Sequence, residues 1–153
     1  MTIDFVVPGK PVGKGRPRVT RHGTYTPEAT RGYQRAVQWA WKKAGGKRMP
    51  KDTALGVIIQ AYLPIPSGVG KKKRAEWDRL CRYHTKRPDG DNIAKAVLDA
   101  LNGLAYDDDS AVSCLTVGKG YSEQPRTVVM IHTIRENMWP DEETRRAWEV
   151  PEE

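Results

Sequence analysis

The sequence predicts one α+β domain, with a mixed or antiparallel sheet of about four strands and two main helices. Three observations carry this. The chain has 153 residues, the size of one ordinary domain. Hydrophobic residues make up 38% of it, enough to build a core. Strand-like and helix-like patterns follow one another with no repeat, low-complexity tract or internal linker. Residues 1–138 read as the folded domain and 139–153 as an acidic C-terminal tail.

The elements follow in order. Residues 2–7 (TIDFVV) read as a strand ended by Pro8 and Gly9. Residues 8–26 form a basic loop without an acid, in which RVTRHGTYT folds as a hairpin around His22-Gly23. Pro27 opens a helix with Thr26 as N-cap and Glu28 in the first turn. Tyr33, Val37, Ala40, Trp41 and Ala44 recur at helical spacing until Gly45-Gly46 stops the helix. Residues 53–63, rich in β-branched side chains, predict a second strand ended by Pro64 and Pro66. A basic connection with a short helix near 70–82 leads to the second main helix, 91–102, stopped by Gly103. Residues 111–119 and 126–135 read as strands, and the turn 122–125 between them predicts an antiparallel hairpin.

Charge is unevenly shared. The net +7 divides into +15 over residues 1–88, with 20 Lys/Arg and 5 Asp/Glu, and −8 over residues 89–153, with 6 and 14. A cationic surface suits a phosphate backbone, whose condensed counterions Lys and Arg release. No run reaches the ~18 apolar residues of a membrane span, and the first residues lack a signal peptide's pattern. The expectation is a soluble, cytoplasmic protein. Cys81 and Cys114 are too few for a disulfide framework and read as reduced thiols.

The acids concentrate in RPDGDNIAKAVLDALNGLAYDDDSAV, residues 87–112. Ile93, Ala96, Val97, Ala100, Leu101 and Leu104 make a buried stripe, with Asp91, Asn92, Lys95, Asp99 and Asn102 opposite. Taken singly, Asp89 and Asp91 read as helix caps favoured by the dipole. Lys95 reads as an i,i+4 partner of Asp91 or Asp99, worth about 0.3–0.5 kcal/mol. Asp107, Asp108 and Asp109 read as a solvated turn. Together these readings are strained, because three adjacent acids repel one another unless a cation compensates. Carboxylates without Cys or His among them suit Mg²⁺, or Mn²⁺ in its place, rather than zinc. Such a metal polarises a phosphoryl oxygen and activates a water, and a nearby Lys95 stabilises the charge that develops. The residues alone point to a metal-dependent nuclease.

At these residues the sequence resembles the RusA family of Holliday-junction resolvases. The likeness lies in Asp89-Gly90-Asp91-Asn92, Lys95, Asp99-Ala100-Leu101 and Asp108-Asp109 ahead of a strand. It extends to Lys14, Arg16-Pro17-Arg18, Tyr25-Thr26-Pro27 and Tyr33, and so spans roughly residues 1–135. The resemblance implies a homodimeric endodeoxyribonuclease that binds four-way DNA junctions and nicks two strands symmetrically with Mg²⁺. It implies Asp89, Asp91 and Asp109 as metal-binding catalytic acids, Asp108 as a further ligand, and Lys95 as the essential lysine. Paired cuts fit two sites related by a twofold axis.

Candidate phosphate contacts are Lys10, Lys14, Arg16, Arg18 and Arg21 on the acid-free loop, Lys71, Lys72, Lys73 and Arg74 on the basic connection, and Arg87. The connection and the tail lie outside the family's core pattern. Trp39, Trp41 and Trp77 read as core or dimer contacts. His22, His84 and His132 show no metal-ligand spacing, and His132 falls on a strand away from the acids. No small-molecule cofactor or membrane is expected. The rival readings are a non-catalytic DNA-binding protein and a metal nuclease acting on flaps or RNA.

Overall fold

A computed structural model describes residues 1–135 and Arg146. The acidic tail predicted at 139–153 lies outside the described residues, apart from Arg146. Strand β1 (Thr2–Pro8) is followed by a small hairpin, β2 (Arg18–Thr20) and β3 (Gly23–Tyr25). Helix α1 (Glu28–Lys43), strand β4 (Leu55–Pro64), helices α2 (Lys71–Leu80) and α3 (Gly90–Leu101), and strands β5 (Val112–Ser122) and β6 (Arg126–Thr133) complete the order. The α+β class and the four-strand mixed sheet are as predicted. The short helix expected near 70–82 forms as α2, so residues 1–135 carry three α-helices.

The sheet runs β1-β6-β4-β5. β1 and β4 each pair antiparallel with β6, while β5 runs parallel to β4. This corrects one expectation: residues 112–122 and 126–133 do not pair with each other. β4 lies between them. Val57, Ile59, Ala61 and Leu63 of β4 are buried, and inserting this apolar strand gives it a hydrogen-bonded ladder on both edges, whereas a β5–β6 hairpin would leave it exposed on one. The connecting turn is held open instead by α2, where the Asp78 carboxylate accepts from the Ser122 hydroxyl and the Glu123 N–H, both at 2.8 Å.

Helices α1 and α3 cover one face. Tyr33, Val37, Ala40 and Trp41 of α1 and Ile93, Val97 and Leu101 of α3 meet the buried side of the sheet, as their 3.6-residue spacing requires. The Gln38 amide donates to the Ala100 carbonyl at 3.0 Å and ties the two helices together. Trp41 is 1% exposed and packs edge-on to Phe5, with centroids 5.7 Å apart. Trp39 is 57% exposed, with the Lys43 ammonium over its ring, so it is not part of this core. Its position falls off the buried stripe.

Candidate active site

The basic loop is tacked onto α3. The Lys14 N–H donates to the Asn92 carbonyl at 2.8 Å, and the Gly15 N–H donates to the buried Thr30 hydroxyl of α1 at 3.1 Å. The Lys14 ammonium pairs with Asp99. Gly13 lets the two backbones approach: a Cβ there would lie 3.1 Å from the Cβ atoms of both Asn92 and Pro88. On the other side, the Lys119 ammonium donates to the carbonyls of Lys86 at 2.7 Å and Pro88 at 2.9 Å. Residues 86–89 are thereby fixed to the edge strand. Between loop and helix lies a cleft of about 730 Å³, lined by Lys14, Arg16, Arg87, Pro88, Asp89 and Asn92.

Asp89 occupies the N-cap of α3 yet makes no side-chain cap hydrogen bond. Asp91 follows in the first turn and Lys95 one turn further, both exposed. Among the described residues none of these three takes part in an ion pair. The i,i+4 bridge of Lys95 to Asp91 or Asp99 does not form among the described residues, and Asp99 pairs instead with Lys14 from another element. Asp89, Asp91 and Lys95 are therefore available to a ligand. The positive end of the α3 dipole supports anionic groups placed there.

The second acidic group lies at the other end of α3. The Asp108 carboxylate caps a single 3-10 turn, Asp109–Ala111, accepting from the Ser110 N–H at 3.3 Å and the Asn102 amide at 3.5 Å. Hydrogen bonds from Ser110 are the largest reason that its carboxyl sits below the ordinary carboxylate range. Asp107 pairs with Arg48 and, at 3.6 Å, with Lys51. Asp109 is exposed. Buried Tyr106 donates to the Leu98 carbonyl at 2.9 Å. Burial first, and then the charges of Asp109, Asp99 and Asp108, push its phenol upward.

The predicted residues thus fall into separate places. Lys14, Arg16, Arg87 and Asp89 share the cleft, with Asp91 and Lys95 beside it. Asp109 lies toward the C-terminal half of α3. Seven residues of helix separate Asp91 from Leu98, roughly 10 Å of rise. Among the described residues no three Asp, Glu, His or Cys side chains gather as one metal-holding group. Arg18 and Arg21 sit on the exposed β2–β3 hairpin, and Lys10 lies near His84. Lys71, Lys72 and Lys73 are exposed at the start of α2. Arg74 is used internally, clamping Glu123 at 2.9 and 3.1 Å and the Pro66 carbonyl at 2.8 Å. His132 lies on β6 with its ring over Gly56. Sequence reasoning missed Lys119, whose one signal was a cation between two glycines in an otherwise strand-like run.

Comparison with known proteins gives the chain a family. The family model described as Endodeoxyribonuclease RusA matches residues 8–132. A Bacillus subtilis (strain 168) protein named Uncharacterized protein YqaN is 36% identical over 141 residues, covering 86% of this chain and 96% of that protein. The carboxylates and cations described above lie within the matched span. The chain belongs to the RusA family of endodeoxyribonucleases.

Proposed function

We propose that the protein resolves four-way DNA junctions as a homodimer, making paired nicks with Mg²⁺, for which Mn²⁺ can substitute. The observation that carries this reading is the cleft that Lys14, Arg16 and Arg87 line together with Asp89, next to an Asp91 and a Lys95 that take part in no ion pair among the described residues. The two arginines, Arg16 and Arg87, suit a DNA phosphate. All-oxygen donors suit a hard divalent ion. Asp89 and Asp91 would hold that ion, with Asp109 completing the set and Asp108, already engaged as a cap, as a weaker candidate. A bound Mg²⁺ supplies Lewis-acid polarisation of the phosphoryl oxygen and a water of lowered pKa. The protein's own part is to bind and orient. Arg16 and Arg87 grip the backbone, Lys14 holds the loop against α3, and the Lys95 ammonium offsets negative charge developing on the phosphate.

The two acidic groups at opposite ends of α3 favour sites completed across a dimer, with Asp89 and Asp91 from one protomer and Asp109 from its partner. The test mixes inactive Asp91→Asn and Asp109→Asn proteins. Shared sites predict that mixed dimers regain one intact site and nick one strand of a four-way junction. No regained nicking would place all three acids in one protomer's site.

A further inference from the structure

Side chains of β4 and of residues 76–83 form a second cleft, on the face of the sheet that α1 and α3 leave open. Its volume is about 540 Å³, and Gln60, Tyr62, Trp77, Leu80, Arg82 and Tyr83 line it. Behind the wall, planar groups adjoin one another at tilted angles. The His84 ring lies 4.8 Å from Tyr121, Tyr121 lies 5.0 Å from Trp77, and the Arg82 guanidinium lies 4.5 Å over the Trp77 ring. The inner two, His84 and Tyr121, are buried. The outer end is open, because Arg82 is exposed and Tyr83 beside it is 82% exposed. On the floor, the Gln60 amide rests over Gly118, where a Cβ would fall 2.2 Å from its Oε1. The Arg126 guanidinium lies 3.9 Å over Tyr62.

An 82%-exposed tyrosine beside a guanidinium stacked on indole offers flat, open faces to another planar group. Every nucleobase offers such a face, and stacking on aromatics and guanidinium planes is the usual way that unpaired strands are held. The acid at the rim, Glu76, disfavours a phosphate inside this cleft and favours a base. The two clefts are also linked. Tyr83 bridges to Gly120 and the His84 N–H donates to the Lys119 carbonyl at 3.0 Å. The Lys119 ammonium in turn holds Lys86 and Pro88. One segment pinned along β5 therefore runs from Tyr83 to Asp89, at most about 20 Å of extended chain.

We propose that this cleft receives a base from an unpaired stretch of DNA, stacked against Tyr83 and the Arg82–Trp77 platform, while the neighbouring phosphates run toward Arg87. The proposal rests on the DNA-binding reading above. The test measures binding of a labelled short oligothymidine, a blunt duplex and a four-way junction to the full chain in EDTA, by fluorescence anisotropy. Tyr83→Ala and Arg82→Ala are each expected to weaken oligothymidine binding about 5- to 100-fold. Duplex binding should be unchanged, and Tyr83→Phe should behave as wild type. Tyr83 is a surface side chain, so its variants are expected to melt as wild type does by circular dichroism. Unchanged oligothymidine affinity in both alanine variants, with duplex and junction binding intact, would overturn the base-binding cleft alone. Failure of the wild-type protein to bind any of the three DNAs would overturn the DNA-binding reading and this proposal together.

Discussion

The Lys14 ammonium is paired with the Asp99 carboxylate, while the Lys14 N–H is bonded to the Asn92 carbonyl two turns earlier on the same helix. One residue thus spans the polar face of α3 and fixes the loop that carries Arg16. Both side chains are about a quarter exposed, 25% and 26%, so their direct contribution to stability is about 1 kcal/mol or less. Placing the loop is the larger effect.

Asp99→Asn separates these contributions. Removing a negative charge near DNA would strengthen binding if the field alone mattered. The clamp predicts the reverse, with weaker junction binding in Asp99→Asn and in Lys14→Ala. The double variant should be little worse than either single one. Titration of a labelled junction checks this, and tighter binding by Asp99→Asn would remove the clamp from the account.

Arg16 and Arg87 line the cleft and take part in no ion pair among the described residues, whereas Arg74 is consumed by Glu123 and two carbonyls. Arg16→Ala and Arg87→Ala should each reduce the slope of log K against log salt by about one. Arg74→Ala should leave that slope unchanged and lower the melting temperature, since Ile65, Pro66 and Glu123 lose their shared donor. Affinity measured across a salt series, beside thermal melts, distinguishes the two classes.

Tyr33 is buried and shares a 2.7 Å hydrogen bond with Thr127. Burial raises its phenol from 10.0 to about 12, the bond to Thr127 opposing in part. A raised folded-state pKa means that the unfolded chain loses this proton first as pH rises. The stability that Tyr33 contributes is fully present below pH 10 and is lost between pH 10 and about 12. Tyr33→Phe should cost about 1–2 kcal/mol near neutrality, by stranding the Thr127 hydroxyl. It should also show a shallower alkaline decline, which denaturant melts at several pH values measure.

Trp41 and Trp39 sit two residues apart and should behave oppositely. Trp41→Ala should cost about 3–5 kcal/mol, and Trp39→Ala about 0.5 kcal/mol or less. Chemical denaturation of both variants checks the direction in which α1 faces.

Much of this was legible in the sequence because it is local. The α3 stripe, the Gly103 stop and the hairpin around residues 21–23 follow from spacing and turn chemistry. Asp89, Asp91 and Lys95 stood out because residue types and positions on one short segment carry the pattern. What was hidden depends on distant pairing. Nothing near residues 122–125 announces that β4, some sixty residues earlier in the chain, will insert between β5 and β6. Likewise, Lys95 has two acids at i,i±4, yet Asp99 is taken by Lys14 from 85 positions away. Arg74 reads as one more cation in a basic run until Glu123 is seen beside it. The separation of Asp109 from Asp91 is a property of helix length and of the path into β5, which a motif string does not display.

The most direct test of the account is cleavage and binding of a four-way junction by wild-type protein and by Asp91→Asn, in Mg²⁺ and in EDTA. Wild type should make paired symmetric nicks in Mg²⁺ and none in EDTA. Asp91→Asn should not cleave, with junction binding intact or tighter. Full cutting by Asp91→Asn, or by wild type in EDTA, would contradict the account.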